Sequence, residues 1–364
     1  NFATAVNAEL KIVADEDNVN DPHVIDVHAT DDTNDIAVLS FTLEAEGDSD
    51  LAIDKMSAST TVTGASNVDD LVKEITLWID GEELVSGTAM QDTDGASVGS
   101  TEGYLFDEVG YTIPAGDTVT AEIRVSFNSV ADALDVGDTL TVDIGETSTD
   151  DSAGWDVDDE SGERLVDADI TGTVTGGAHA VYDIGLNADF VSATAVTDGA
   201  AGGSATGDDA GRYTITFDVT SFGDDVFIDA DVIASTTAAT IAANTSATTN
   251  DDGILWATTT NSTATTTLAT GTALPILECA GSEGSNSTAP DVTTAGALSY
   301  GIPEGETRRC ILSITTAAAT GDIQVGVRIR GITWDVDSGD EHANVYIFDL
   351  GDFKTNTIAL NFQA

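Results

Sequence analysis

The sequence predicts an all-β protein made of two tandem β-sandwich domains that arose by internal duplication. The first observation is that apolar and polar residues alternate with period two in many segments, which is typical of strands with one buried face. The second is that "YTIPAGDTVTAEIRVSF", at 111–127, returns as "YGIPEGETRRCILSITT" at 300–316. A long phrase that returns in this way indicates a repeated structural unit.

Three further blocks return in the same order as this phrase. They are VNAEL (6–10) with LNADF (186–190), LSFTLEAEGDSDLAID (39–54) with ITFDVTSFGDDVFID (215–229), and WDVDD (155–159) with WDVDS (334–338). The spacing predicts two copies of about 180 residues, a size suited to one sandwich. We therefore expect domain 1 at 7–185 and domain 2 at 186–364.

The predicted strands follow one another along the first copy and into the second. They are HVIDVHA (23–29), IAVLSFTLEAE (36–46), KEITLWID (73–80), TVTAEIRVSF (118–127), DTLTVDIG (138–145) and YTITFDV (213–219). Alternate residues of a strand point to opposite faces, so Ala121, Ile123, Val125 and Phe127 are expected to face inward. Helical periodicity is weak, and only SVADAL (129–134) suggests a single turn.

The repeated "IPAG" and "IPEG" stand immediately before a strand in each copy. Proline fixes φ near −65° and glycine permits positive φ, so each phrase predicts a turn that sets the register of the next strand. The repeated phrase is therefore interpreted as a folding signal.

The charge balance restricts the partners. The chain has 65 acidic and 11 basic residues, a net charge of −54. Such a surface repels nucleic acids and anionic lipids, and the absence of an apolar run of about 18 residues argues against membrane insertion. Self-repulsion of this size indicates a salty habitat, bound divalent cations, or simply a role of charge in solubility.

Residues 233–292 are rich in Thr, Ala and Ser, and we expect them to be an insertion that decorates the second domain. Three N-x-S/T sequons fall in this stretch, at Asn244, Asn261 and Asn286. On an exported chain they predict surface glycosylation.

Cys279 and Cys310 are the only cysteines and both lie in the second copy. A pair confined to one domain is suited to a disulfide, which would indicate an oxidising or extracellular compartment. Two buried free thiols are the alternative interpretation.

No enzyme signature is present, and the four histidines show no metal-ligand spacing. Carboxylates are so abundant that pairs at catalytic separations arise by chance, and the chain is expected not to be an enzyme. Calcium is the better use for the carboxylates, because acidic side chains alternate around a glycine in two repeated loops. The predicted ligands are Asp156, Asp158 and Asp159 in the first loop and Asp335, Asp337 and Asp340 in the second; "EDNVND" (16–21) is a further candidate.

Four segments together resemble the immunoglobulin-like domains of prokaryotic cell-surface proteins, the class that builds surface layers and extracellular filaments. They are "SFTLEAEGDSDLAID", "ITLWIDGEEL", "YTIPAGDTVTAEIRV" and "DLGDFKTNTIAL". The resemblance implies a structural role at the cell surface, with subunits joined head to tail and with calcium or salt neutralising an acidic lattice.

The N-terminal segment, 1–13, is the candidate assembly element. We expect it to add as a strand to the open edge of the next subunit, with Val6, Ala8, Leu10 and Ile12 in the contact, because an exposed sheet edge accepts a further strand. Alternatively, the chain is a fragment of a longer surface protein, and its ends carry no function.

An adhesin or glycan-binding module is the second class of function. Its sugar sites would need exposed aromatic residues beside carboxylates. Trp155 and Trp334 are candidates, but their repetition at matching positions is better suited to packing; Trp78 lies in a strand, and Trp256 lies in the Thr-rich insertion, where it could be exposed.

Overall fold

The computed structural model describes residues 8–15, 18–90, 100–132, 134–145, 154–197, 210–234, 253–260, 275–280, 292–294, 297–317, 323–338, 344–348 and 350–360. Its contacts divide the chain into two compact units, Asn1–Asp183 (unit 1) and Ile184–Ala364 (unit 2). Strands make up most of the described residues, so the all-β prediction is confirmed.

Unit 1 contains two sheets. Its strands are β1 (Glu9–Ala14), β2 (Val24–Asp26), β3 (Thr33–Glu46), β4 (Leu51–Thr63), β5 (Val72–Ile79), β6 (Glu82–Ser86), β7 (Thr88–Met90), β8 (Thr101–Ile113), β9 (Thr118–Phe127), β10 (Thr139–Gly145), β11 (Asp156–Asp159), β12 (Ile170–Thr171), β13 (Thr173–Thr175) and β14 (His179–Tyr182). One sheet has the order β12-β1-β3-β9-β5-β6, and the other has β2-β14-β10-β4-β8-β7, with β11 on β4 and β13 on β10.

Unit 2 also contains two sheets. Its strands are β15 (Gly185–Thr197), β16 (Ala210–Phe222), β17 (Val226–Asp229), β18 (Val232–Ala234), β19 (Ile254–Thr260), β20 (Ile276–Cys279), β21 (Val292–Thr294), β22 (Ala297–Ile302), β23 (Thr307–Ala317), β24 (Ile323–Asp335), β25 (Asn344–Tyr346) and β26 (Ile358–Leu360). Four strands form the sheet β15-β16-β23-β20, and the rest form β18-β19-β24-β17-β22-β21, with β25 and β26 on β24.

The core of unit 1 lies between its two sheets. Apolar residues from each sheet belong to one buried cluster, with Phe41 and Ile123 from one side and Met56 and Phe106 from the other. The predicted inward row of β9 is buried from Ala121 to Phe127 at alternate positions. Burial of a large apolar side chain contributes about 2 to 3 kcal/mol, so this alternation fixes which face of each strand packs inward.

The repeated sequence blocks occupy strands that pair in the same way in each unit. The strand after the "IPAG" turn, β9, pairs with β3, and the strand after "IPEG", β23, pairs with β16. The strand before each turn pairs with the strand that follows β3 or β16 in the chain: β8 pairs with β4, and β22 pairs with β17. The common origin of the two copies stays a prediction, to which this shared pairing scheme gives structural support.

The described parts of residues 233–292 include paired strands of unit 2, and the interpretation of the whole stretch as an insertion stays a prediction. Within them, β19 pairs with β18 and with β24, and its Ile254 and Trp256 are buried. A Thr-rich run of alternating residues is as suited to a paired strand as to a loop, and here the adjoining Ile, Leu and Trp anchor it in the sheet.

Helical structure is slight in the described residues. The one α-helix is α1 (Val68–Leu71), and two short 3₁₀ turns span Asn18–Asn20 and Asp167–Asp169. The predicted turn at 129–134 is present to the extent that Asp132 N donates to Ser129 O at 3.1 Å. No helix in the part of the chain that the structure describes is long and apolar enough to cross a membrane.

Candidate functional site: an open strand edge

Strand β15 forms one edge of the four-stranded sheet of unit 2. It pairs with β16 along almost its whole length, from Gly185 opposite Phe222 to Thr197 opposite Gly211. Among the described strands none pairs with its other side. An edge of this kind presents a row of unpaired backbone N–H and C=O groups that another strand can satisfy.

Burial changes halfway along β15. Leu186 and Ala188 are buried, whereas Phe190, Val191 and Val196 are 40%, 37% and 53% exposed. Phe190 lies opposite the core-facing Phe217, and its ring centroid is 5.8 Å from that of Phe353, whereas Val196 lies opposite Arg212 and faces outward. The second half of β15 therefore offers apolar surface as well as free backbone groups.

The direction of these side chains follows from the pairing register. Ala193 and Ala195 lie opposite the buried Ile215 and Tyr213 and so face the core. Ser192, Thr194 and Val196 alternate with them and face outward, because cross-strand partners share a face. A bulge at Val191 interrupts the ladder, and from Ser192 to Thr197 the strand is regular.

Three neighbouring segments beside this edge lack acidic side chains, while Asp189, Asp218 and Glu278 belong to the same sheet and Asp198, Asp208 and Asp209 follow in the sequence between β15 and β16. Residues 190–197, 210–217 and 310–317, from three neighbouring strands, contain a single charged residue, Arg212, which lies opposite Val196. We call these three segments the acid-free end. In a chain with a net charge of −54, a segment without carboxylates repels a second acidic molecule less than an acidic segment does.

Unit 1 closes the equivalent edge with its own chain. Strand β1 pairs with β3 as β15 pairs with β16, and its outer side is covered by the parallel strand β12. In unit 2, the strands that follow the second WDV phrase, β25 and β26, pair with β24 in the other sheet. Among the strands that the structure describes, this edge is covered in unit 1 and has no partner on its outer side in unit 2.

At the opposite edge of the same sheet, the edge strand β20 is covalently joined to its neighbour β23. Cys279 of β20 lies directly opposite Cys310 of β23, and a disulfide joins them. Cys279 occupies a short strand and is fully buried. The disulfide ties β20, a strand of only four residues, to the long central strand.

The predicted N-terminal assembly segment lies partly inside unit 1. Leu10 and Ile12 are buried in β1, Ala8 is half-buried just before it, and Val6 lies outside the described residues. The free donor strand expected at 1–13 is therefore corrected: residues 9–14 are a paired strand of their own domain, since their apolar side chains complete its core. Only the residues before Ala8 stay available for the predicted role.

The predicted calcium loops have local partners for their carboxylates. Asp156 is 3.3 Å from Arg164, while Asp159 accepts the Ser161 hydroxyl at 2.7 Å and the Glu163 N–H at 2.9 Å. These hydrogen bonds hold the pKa of Asp159 below its ordinary value. The carboxylates of this first loop thus stabilise the hairpin tip itself.

In the second loop, a carboxylate likewise accepts a local backbone hydrogen bond. Asp335 Oδ1 accepts the N–H of Val336 at 2.7 Å, Asp337 follows in the exposed turn, and Asp340 lies outside the described residues. No group of three or more carboxylates, His or Cys comes together within the described ranges. Calcium binding here, by Asp158 or any of the others, stays a prediction.

The glycosylation sites and the tryptophans complete the predicted set. Asn244, Asn261 and Asn286 all lie outside the described residues. Trp155, Trp256 and Trp334 are buried at 6%, 4% and 4% exposure. Trp78 is half-buried with the guanidinium of Arg124 4.1 Å from its ring centroid. Three of the four are therefore buried, and Arg124 covers one face of the fourth, Trp78.

One contact was missed by sequence reasoning. His179 is fully buried, its ring centroid lies 4.2 Å from that of His23, and its Nε2 lies 2.8 Å from Val38 O. Burial, and next the neighbouring His23, lower the pKa of His179 from 6.5 to about 4. The two histidines are far apart in sequence, and only the parallel pairing of β2 with β14 brings them together.

Comparisons with known proteins give few constraints. No family model matches the sequence and no curated protein is similar to it. Among solved structures, the C-terminal domain of the Streptococcus pyogenes antigen I/II-family protein AspA is 9% identical, with 99% of this chain and 100% of that chain covered, at a TM-score of 0.22. The C-terminal domain of Streptococcus agalactiae BspA is 10% identical, with 97% and 100% covered, at a TM-score of 0.22.

A mutant of the CFA/I enterotoxigenic E. coli adhesin CfaE is 9% identical, with 100% of this chain and 90% of that chain covered, at a TM-score of 0.23. At such TM-scores the matches do not establish a shared fold. The function proposed below rests on the residues of this chain.

Proposed function

We propose that this chain is a non-enzymatic structural protein of the cell exterior whose copies join into a filament or a surface layer. The single observation that carries the proposal is the open, uncharged half of β15 in a protein that is otherwise strongly acidic. A soluble protein that works alone protects its sheet edges with charge, proline or a covering strand. Here unit 1 has such a cover and unit 2 lacks one among the described strands.

The disulfide supports the extracellular part of the proposal. Disulfides persist in oxidising compartments and are rare in the cytosol, and Cys279 and Cys310 are joined in the structure. The acidic exterior adds to this support, because a net charge of −54 suits a medium rich in mobile cations.

The proposed joint is head to tail and uses residues 1–7 of one copy as an added strand. This segment, "NFATAVN", is uncharged and alternates larger with smaller side chains, as a strand that joins an acidic neighbour should. A contact between two different surfaces of identical chains does not close on itself, so it generates a polymer.

Electron microscopy of the purified full chain tests the proposal. Copies are expected to form polymers as the salt concentration is raised, and a variant with residues 1–7 replaced by a Gly-Ser segment of equal length is expected to form none. The replacement keeps β1 intact, which a deletion through Val13 would not. Polymers that are unchanged in the variant contradict strand addition, and a wild-type chain without polymers at any salt or calcium concentration contradicts the structural role.

A glycan array separates this proposal from the adhesin class. A structural subunit is expected to bind no glycan, consistent with the buried or covered state of the four tryptophans. Specific binding of one glycan class would favour the adhesin function instead.

A further inference from the structure

We propose that His23 and His179 form a two-histidine binding site for a transition-metal ion of the Cu²⁺ and Zn²⁺ class. The site lies in unit 1, where the short parallel strands β2 and β14 meet. It shares no residue with the open edge of β15 or with the acidic loops, so it does not depend on the head-to-tail joint proposed above.

Strand pairing brings the two histidines side by side. β2 and β14 run parallel with Val24 opposite Ala180, so the residues that precede them, His23 and His179, are level with each other. Neighbouring strands lie about 4.8 Å apart. The two imidazole rings are accordingly close, with centroids 4.2 Å apart and ring planes inclined by 51°.

The backbone around the pair fixes this arrangement. Ala180 N donates to His23 O at 3.0 Å. At Gly177 an added Cβ would lie 2.5 Å from Pro22 N and 2.7 Å from the carbonyl carbon of Asp21, so the two segments approach this closely because residue 177 has no side chain. The histidines are therefore held beside each other by the backbone, as a preorganised pair of ligands requires.

Hydrogen bonds to backbone carbonyls determine which nitrogen of each ring has a lone pair. His179 Nε2 lies 2.8 Å from Val38 O, and His23 Nδ1 lies 3.0 Å from Asp21 O. A carbonyl oxygen only accepts, so these two nitrogens carry the ring protons. The lone pairs are then on His179 Nδ1 and His23 Nε2. Metal-bound histidines have this arrangement, because their second nitrogen donates to a backbone carbonyl or a carboxylate.

The second nitrogen of His179 is the observation that points to a ligand. The side chain is fully buried, and its Nδ1 has no hydrogen-bond partner among the described residues. A buried acceptor without a partner costs stability, and an ion shared with His23 would satisfy it. Burial, and next the neighbouring His23, lower the pKa of His179 to about 4, so at neutral pH the ring is in the neutral form that binds metals.

The donor atoms select the class of ion. Imidazole nitrogen binds Cu²⁺, Ni²⁺ and Zn²⁺, whereas Ca²⁺ and Mg²⁺ prefer oxygen ligands. Two nitrogens that bind one ion at about 2.0 to 2.1 Å each are about 3 Å apart, which rings at the observed separation can provide. Within the described ranges no third histidine, cysteine or carboxylate joins the pair. The bound ion would join β2, which pairs with β14 over only three residues, more firmly to its neighbour.

Calorimetric titration of the full chain with Cu²⁺, and separately with Zn²⁺, tests the inference. Millimolar magnesium is present throughout to occupy carboxylates. The wild-type chain is expected to bind one ion of either metal, and Cu²⁺ more tightly than Zn²⁺. His179→Gln keeps an N–H for Val38 O and removes the Nδ1 lone pair, so binding is expected to weaken by about tenfold or more. The same loss is expected for His23→Gln, at a half-buried position.

His28→Gln is the matched control, because it removes an exposed imidazole that is not part of the pair. Its affinity for both metals is expected to equal that of the wild type. Electron paramagnetic resonance of the Cu²⁺-loaded chain is a second readout: coupling to two imidazole nitrogens is expected in the wild type and in His28→Gln, and its reduction in both variants of the pair. Unchanged affinity in either His23→Gln or His179→Gln, or a wild type without a saturable site in magnesium, overturns the inference.

Discussion

Acid is expected to destabilise unit 1 through His179. The side chain is fully buried, and Nε2 must carry the proton to donate to Val38 O at 2.8 Å. Its Nδ1 is buried and finds no hydrogen-bond partner among the described residues. A second proton on this ring would therefore place an unpaired N–H and a charge in the core, which is why the pKa is lowered from 6.5 to about 4.

The sign and size of the effect follow from these two pKa values. Between pH 6.5 and about 4 the unfolded chain binds a proton at this residue and the folded chain does not. The stabilisation is therefore complete above pH 6.5 and is lost as the pH falls towards 4. The difference corresponds to about 3 kcal/mol in total, of which about 2 kcal/mol should be lost by pH 5.

Urea unfolding of the full chain at a series of pH values measures this loss. His179→Gln keeps an N–H that can donate to Val38 O and removes the titration, so the variant should lack the step. At each pH the free energy of unfolding of the variant is subtracted from that of the wild type, at about 1 M salt. The titration of the carboxylates contributes equally to both chains and cancels in this difference. The difference in unfolding free energy is expected to narrow by about 2 kcal/mol between pH 8 and pH 5.

His28→Gln serves as the control. His28 is exposed, so this variant carries the same substitution outside the core, and the loss of stability between pH 8 and pH 5 that His179 causes is expected to remain in it. A difference between wild type and His179→Gln that stays constant from pH 8 to pH 5 would refute the reasoning.

Three further outcomes are expected. Reduction of the Cys279–Cys310 disulfide, which closes a separation of 31 residues, should lower the free energy of unfolding of unit 2 by about 3 to 4 kcal/mol on the chain-entropy model. In calorimetry the melting temperature of unit 2 should fall while that of unit 1 stays the same. An unchanged melting temperature of unit 2 would contradict this. Gly172→Ala should lower the free energy of unfolding several-fold more than Gly116→Ala does. Both glycines have positive φ, but only at Gly172 would the added Cβ overlap a backbone atom, the carbonyl oxygen of Ile12. Equal melting temperatures for the two variants would contradict the close packing of β1 against Gly172. If the acidic loops bind calcium as the sequence predicts, calcium at millimolar concentration should raise the melting temperature more than magnesium of equal ionic strength does; equal shifts for the two ions, with no saturable heat of calcium binding, would contradict the calcium loops.

Much of the fold was predictable because alternation is a local signal. The inward row of β9 was identified residue by residue, since Ile123 and Val125 stand between polar neighbours and are fully buried. The same holds for Tyr213 and Phe217 in β16. Where side-chain hydrophobicity alone decides which face of a strand is buried, the sequence is sufficient to predict that face.

What sequence could not supply was the choice of partner strand. β1 was expected to join another subunit, yet it pairs with β3 and β12 of its own unit. The period-two pattern of Leu10 and Ile12 states that one face must be buried and does not state against which sheet. The contact of His23 with His179 and the open side of β15 are likewise products of strand order, which is a long-range property of the chain.

Charge and strand pairing together determine where two copies of this protein can meet. Six basic side chains of the described residues are engaged in ion pairs with neighbouring carboxylates, namely those of Lys11, Lys55, Lys73, Arg124, Arg164 and Arg309. The acidic excess therefore stays uncompensated over most of the surface and disfavours random association. An uncharged edge on such a surface combines attraction in one place with repulsion elsewhere, which is how specific contacts are separated from non-specific ones. Association that strengthens with salt is the expected signature of this design, because salt screens the repulsion and leaves the backbone hydrogen bonds of the paired edge largely unchanged.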